Sequence, residues 1–397
     1  MASIYPFRAY RYNTQKAGVP LGKLVTQPYD KITPAMQEAY YAASPYNFVR
    51  LILGKREAGD NGRQNVYTRA ARWLEEWIRQ GVLAPEAQPA IYPYFQEYTV
   101  PGTKERRLRK GFIALGRIED YAARVVHRHE LTHTGPKKDR LELLRHTRAH
   151  VGQIFMIYSD PPGEIDKVLD QVARAQQPAE VRDDYNAAHR VWTLTDAQAI
   201  ARVQELMAEK KLIIADGHHR YETALAYRDE CRQQAGKADP EAPYEKAMMT
   251  FVNMDGPGVT VLPTHRVVHS LKEFRFQAFR ERVGAWFDWY AYPVDAGQKR
   301  AGASTRLLRD LAERGARRVS FGVAPAGERA LYLFLLKPNA DLAKLLPDLS
   351  APQRKLDLVV LHRLLLERGL GIDEEAVREL RHVRYAREVE EALDQLD

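Results

Sequence analysis

Asp216, Gly217, His218, His219 and Arg220 stand together after the apolar run 212–215, and Tyr221, Ala224, Leu225 and Arg228 follow at helical spacing. The pattern predicts a buried strand that turns directly into a helix. Such a turn aims unpaired backbone N–H groups and the positive end of the helix dipole at whatever lies before it, which suits an anion. Gly217 lets the backbone approach closely or take a positive φ. His218 and His219 add donors, and the Arg220 fork matches phosphate oxygens. Asp216 beside an anion is repulsive unless it binds Mg²⁺, takes a proton or caps the helix. The chemistry favoured is therefore phosphate handling. Against it stands a plainer reading, in which Asp216 caps the helix, the histidines are surface residues and Arg220 pairs with an acid. A metal centre is not expected: adjacent histidines rarely share one ion, and neither H-E-x-x-H spacing nor paired cysteines occur.

Other polar groups could complete such a site. Asp30, in Pro28-Tyr29-Asp30, precedes a helix start, and a carboxylate there can orient a hydroxyl nucleophile and accept its proton. Glu130 is the other candidate for that role. It lies in a run, His129 to Thr132, followed by Lys137, Lys138, Asp139 and Arg140, where a basic loop could clamp a transferred group. Thr264, His265 and Arg266 form a further strand-end cluster that could bind phosphate, and Asn253 and Asp255 could line the same cleft. Asp357 and His362 fall in an apolar helix without sharing one line of its face, and His362 reads as a satisfied core histidine.

The elements that must position these residues follow from periodicity. A short strand is expected at 24–30, then a helix capped by Thr33 with Pro34 in its first turn, and a buried strand in the FVRLIL segment. An amphipathic helix at 65–80, a hairpin within 89–118, a helix at 138–150 and the strand QIFMIYS come next. Helices at 163–175 and 196–210 flank a polar linker at 176–190. A strand is expected in AMMTFVNM and another in VTVLPTHRVV, and beyond residue 271 helices and strands alternate as a separate lobe.

The chain has 397 residues, enough for two or more cores. Its 60 Lys and Arg against 52 Asp and Glu leave a net charge of +8 without blocks of like charge, which suits small anions better than nucleic acid. One cysteine, Cys231, excludes an internal disulfide and fits a reducing compartment. Neither a signal peptide nor a membrane-length apolar run is visible, so a cytoplasmic protein without membrane partners is expected.

The segment LIIADGHHRYETALAYRDE resembles the hallmark of a large uncharacterised prokaryotic family, a domain of unknown function. QPYDKI, SPYNFVRL, HELTHTGPKKDRLELLR, VNMDGPG, LPTHR and LDLVVLH extend the resemblance over nearly the whole chain. More distantly, the Asp-Gly-His-His-Arg turn is similar to the nucleotide-binding box of the ParB and sulfiredoxin superfamily, which includes free-serine kinases using ADP or ATP. After the basic helix this chain carries His150 and Gln153 where an Asn and a Pro are common.

The resemblance implies a mixed α/β fold with a ParB/sulfiredoxin-like core from residues 1–60 and 190–270, an α/β insertion at 61–189 and a C-terminal α/β lobe at 271–397. It implies a phosphotransferase that takes ADP or ATP with Mg²⁺ and acts on a small hydroxyl-bearing metabolite such as free serine. Asp216 through Arg220, with Thr264, His265 and Arg266, would hold the nucleotide. Asp30, Glu130, His218 and His219 would serve catalysis. A phosphatase acting on a compound such as phosphoserine is the second enzymatic reading, and a nucleotide-sensing or DNA-binding regulator the third. Acceptor, nucleotide base and oligomeric state stay open.

Overall fold

Nine described strands of the first 260 residues share one sheet, each drawn from an apolar or alternating segment. The protein is described by a computed structural model over residues 2–101, 103–128, 134–236, 239–294, 301–386 and 388–396. It is a mixed α/β protein that divides into two units, Met1–Thr260 and Val261–Asp397.

The first unit opens with β1 (Ile4–Tyr5) and β2 (Tyr10–Tyr12), then α1 (Thr14–Ala17), α2 (Pro34–Ala43), α3 (Val49–Ile52), α4 (Val66–Arg79) and β3 (Leu83–Pro85). A long hairpin of β4 (Tyr92–Thr99) and β5 (Arg106–Arg117) leads to β6 (Val126–His127), α5 (Thr134–Thr147) and β7 (Ile154–Tyr158). Next come α6 (Glu164–Ala175), β8 (Ala179–Arg182), β9 (Ala188–Val191) and α7 (Ala197–Ala208). β10 (Leu212–Asp216), α8 (His218–Ala235) and β11 (Lys246–Asn253) complete it.

The sheet order is β6-β10-β7-β11-β5-β4-β9-β8, with β1 also paired to β5. β7 is parallel to β11 but antiparallel to β10. The turn after β10 therefore lies at the edge where β7 begins, while β7 and β11 both end at the other edge. Phe112, Met156, Tyr158, Met249 and Phe251 pack with Ile165 and Leu169 of α6, Val203 and Met207 of α7, and Tyr221 and Ala224 of α8. Each large apolar side chain buried there contributes roughly 1.5–3 kcal/mol. A second cluster gathers Leu24, Leu51, Trp77 and Val82 from the N-terminal helical region.

The Thr33 cap is as expected, and the structure adds one that the spacing of the 65–80 helix did not announce. The Thr33 hydroxyl accepts from Met36 N, and Asn65 and Thr68 form a reciprocal capping box on α4. Expectations that depend on tertiary burial fare differently. Residues 24–30 form no strand: the Asn47 amide takes the Lys23 and Val25 carbonyls, and a 3₁₀ turn covers Tyr29–Lys31. FVRLIL contains the short helix α3, because its apolar residues bury into a helical cluster and Phe48 N–H bonds Leu24 O. The polar 176–190 segment is the β8–β9 hairpin, whose loop is fixed by Asp183 accepting from Tyr185 N and Ala187 N. Strands from 61–189 and 190–270 also interleave in one sheet, because β10 and β11 flank β7; they do not form separate layers.

The second unit contains β12 (His265–Val268), α9 (Phe276–Val283), β13 (Phe287–Pro293), α10 (Ala301–Gly315), β14 (Ser320–Val323), β15 (Ala330–Leu336) and β16 (Val383–Ala386). β13, β15 and β14 form one small sheet, and β12 pairs with β16. A helix at Asp357–Val360 continues directly into a π-helical stretch, Leu361–Gly369. Among the described residues no helix is long and apolar enough to cross a membrane.

Candidate functional site

β10 ends on Asp216 with a register shift between Ile214 and Asp216, so the last residue of the strand is re-aimed. Gly217 then takes φ +90° and ψ 32° and caps α8 without any side-chain help. Asp216 is thus not the helix cap. Its Oδ2 lies 2.5 Å from Nη2 of Arg220, one turn into the helix. Nη1 of Arg220 donates to the Gln153 carbonyl, and the Gln153 side chain in turn accepts from the Thr250 hydroxyl. The guanidinium folds back over the turn so closely that a Cβ on Gly217 would stand 2.9–3.1 Å from its Nε, Cζ and Nη2. The pairing expected in the plainer reading of Arg220 is therefore present. It also fixes the direction of the fork at the start of an 18-residue helix.

The two histidines separate. Successive helical residues point about 100° apart, and His218 is buried while His219 stays partly exposed. Tyr221 is fully buried, with its hydroxyl donating to Glu119 O at 2.7 Å and accepting from Glu119 N at 2.9 Å, and so anchors the first turn of α8. Glu222 faces Arg128 at 3.3 Å and Lys137 at 3.6 Å.

Tyr29 is where the N-terminal segment meets this turn. Arg140 of α5 lies 4.1 Å over its ring. Burial pushes the Tyr29 phenol up; the Arg140 cation opposes this, Asp30 adds to it, and Arg220 opposes it again. Arg220 and Asp30 therefore act on one phenol, although 190 positions separate them in the chain. Asp30 itself is exposed, on the 3₁₀ turn. Arg140 also donates to Asp139 and to Ile52 O, and Asp139 accepts from Tyr67 OH at 2.8 Å, so much of the basic segment is structural. Glu130, with His129 and Thr132, lies outside the described residues.

Residues 4–359 match a family model described as Protein of unknown function (DUF1015). The chain belongs to that family. No curated protein and no solved structure matches it. In this DUF1015 chain Tyr29 of the QPYDKI segment lies within reach of the charge on Arg220 of the DGHHR turn. Gln153, Thr250 and Tyr29 are contributors that sequence reasoning did not assign; Gln153 acts through its backbone carbonyl, which no side-chain pattern announces.

Thr264, His265 and Arg266 belong to the second unit, where His265 and Arg266 begin β12. Asn253 ends β11 and Asp255 follows it, at the edge opposite the Asp216 turn, because β10 runs against β7 and β7 with β11. They do not line the same cleft. Asn253 there accepts from Asp160 N and donates to Asp160 O. Among the described residues no group of three or more His, Cys, Asp or Glu could hold a metal ion.

That opposite edge has its own electrostatics. Burial raises the Asp166 carboxyl to about 6, opposed by Asn253 and Lys110 and reinforced by Asp160 and Asp170. In the folded protein Asp166 therefore holds its proton over a pH range where the unfolded chain has released it. Stability falls as pH rises from about 4 to about 6 and stays lower above that. Asp166→Asn should remove this slope and stabilise the protein at pH 8 by roughly 1–2 kcal/mol, after discounting for solvent at a partly exposed carboxyl. Urea unfolding at pH 4.5 and pH 8 measures it; an equal difference at both pH values would contradict the assignment.

Proposed function

We propose that the first unit holds nucleotide phosphates at the β10–α8 turn and transfers a phosphoryl group to a small hydroxyl-bearing metabolite, with free serine the first acceptor to test. The observation that carries this reading is Arg220. Its fork is pinned by Asp216 and Gln153 over Gly217, at a helix start that favours anions, and its charge reaches Tyr29 beside Asp30. The similarity of the DGHHR turn to the box of ADP- or ATP-dependent serine kinases supports the same reading.

The donor set fits a phosphate chain. Arg220, His219 and the backbone at 217–220 would hold it, with Mg²⁺ brought by the nucleotide; Asp216 is already committed to Arg220. The nucleotide supplies the phosphoryl group when bound. Asp30 accepts the acceptor's hydroxyl proton as the new O–P bond forms and the bond to the departing nucleotide breaks. Arg220 offsets the charge on the transferred oxygens.

Thermal shifts with ADP, ATP, CTP and inorganic phosphate, each with and without Mg²⁺, test the binding step. A nucleotide-dependent rise that Arg220→Ala abolishes is expected. Asp30→Asn should keep the shift and lower turnover on serine by about 100-fold or more. Unchanged nucleotide affinity and turnover in both Arg220→Ala and His219→Ala would sink the idea. Phosphate released from phosphoserine without nucleotide would replace it with the phosphatase, and a strongly salt-dependent DNA affinity with the regulator.

A further inference from the structure

The second unit carries a polar cluster that the proposed reaction does not use. Arg266 on β12 stands opposite Tyr385 on β16, with its guanidinium 5.4 Å from the tyrosine ring. One of its N–H groups donates to Thr264 O. Its Nε is buried and finds no hydrogen-bond partner among the described residues, and no carboxylate among them pairs with it. Burial pushes the guanidinium down from its usual range, with only Tyr385 acting the other way.

His362 lies within reach of the Arg266 charge. It lies at the start of the π-helical stretch, and Leu366, about one turn on, packs with Val268 and Val383 from the two strands of this ribbon. His362, about one turn earlier, therefore lies on the helix face turned to the same ribbon. His362 Nε2 is buried and also unpartnered among the described residues, which corrects its reading as a satisfied core histidine. Burial first, and the Arg266 charge second, hold its imidazole below the ordinary range; Glu374 opposes them. Glu388 and Glu390 act on His265. A π-helical stretch is a recurrent mark of functional positions.

A half-buried arginine without a counter-charge among the described residues, near a histidine whose buried Nε2 has no partner among them, is an arrangement that an anion completes. We propose that Arg266 and His362 form an oxyanion site in the second unit that takes a phosphate group, free or as an ester, independently of the β10–α8 turn. The fork supplies two parallel N–H donors. The imidazole adds a third or gains a proton against a dianion, which favours phosphate over a carboxylate.

Isothermal titration of the full chain with inorganic phosphate, and in parallel with acetate, tests this in the wild type, Arg220→Ala, Arg266→Leu, Arg266→Lys and His362→Asn. Circular dichroism checks that each variant is folded. Phosphate binding is expected to persist in Arg220→Ala. There, added Arg266→Leu or His362→Asn should weaken it about tenfold or more, and Arg266→Lys, which keeps charge but loses the fork, by less. Should Arg266→Leu not fold, Arg266→Lys and His362→Asn carry the decision. No phosphate binding in Arg220→Ala, or binding indifferent to both Arg266 and His362, overturns the site. Acetate binding as tight as phosphate overturns the phosphate assignment. Failure of nucleotides to bind the wild type leaves this site standing and removes only the phosphotransferase.

Discussion

Arg232→Ala is expected to destabilise the protein by about 3 kcal/mol, the lower end of the cost of breaking a buried ion pair. The Glu245 carboxylate is only 1 % exposed, and Arg232 meets it bidentately, Nε to Oε1 and Nη2 to Oε2 at 2.6 Å each. This pair ties the last turns of α8 to the residue just before β11, and removing the arginine strands a buried charge. The cost stays at that lower end because the Arg232 side chain is 32 % exposed, so water reaches part of the gap. Urea unfolding should show a lower midpoint with an unchanged slope. Arg232→Met combined with Glu245→Leu should recover most of the loss, since two apolar groups leave no charge to strand. A loss below about 1 kcal/mol in the single variant would mean that Glu245 is solvated once the arginine is gone.

Gly217→Ala is expected to affect both folding and binding. At φ +90° a side chain costs on the order of 1–3 kcal/mol, and the new Cβ would press on the Arg220 guanidinium at 2.9–3.1 Å. Displacing that fork removes a charge-assisted contact to any phosphate, worth about 1.5–3 kcal/mol, or roughly ten- to a hundredfold in affinity. Gly217→Asn separates the two effects. Asparagine tolerates positive φ better than alanine but carries the same Cβ. It should therefore recover stability and not affinity. Nucleotide affinity measured by titration, with midpoints from thermal unfolding, reports both; wild-type affinity in Gly217→Ala would show that the fork can shift without cost to binding.

The DGHHR turn was legible because its signal is local. An apolar run, a glycine and a helical period meet within ten residues, and the structure places the strand, the αL glycine and the helix there. The partners of Arg220 were not legible. Asp216 looks equally like a cap or a metal ligand in the sequence, and only the register shift at the end of β10, with the incoming Gln153 carbonyl, commits it to the arginine. Asn253 and Asp255 were drawn toward the site by their strand-end position. Strand direction within the sheet, which no single segment carries, sends them to the other edge. The short helix α3 shows the same limit, because FVRLIL suits a strand by composition and becomes helical through what it packs against.

By itself, then, the amino-acid sequence determined the mixed α/β class, family membership, the cap of α2 and the strand-to-helix turn at Gly217, which rest on residue types and spacing along the chain. Tertiary structure alone decided which acid holds Arg220, that the Arg220 charge reaches Tyr29, and that the Arg266 charge reaches His362. Those pairings join residues that lie 4, 191 and 96 positions apart, and they are set by strand order, register and burial. Local propensity and spacing carry no information about these, because the same segments could form their elements equally well in another arrangement of the sheet.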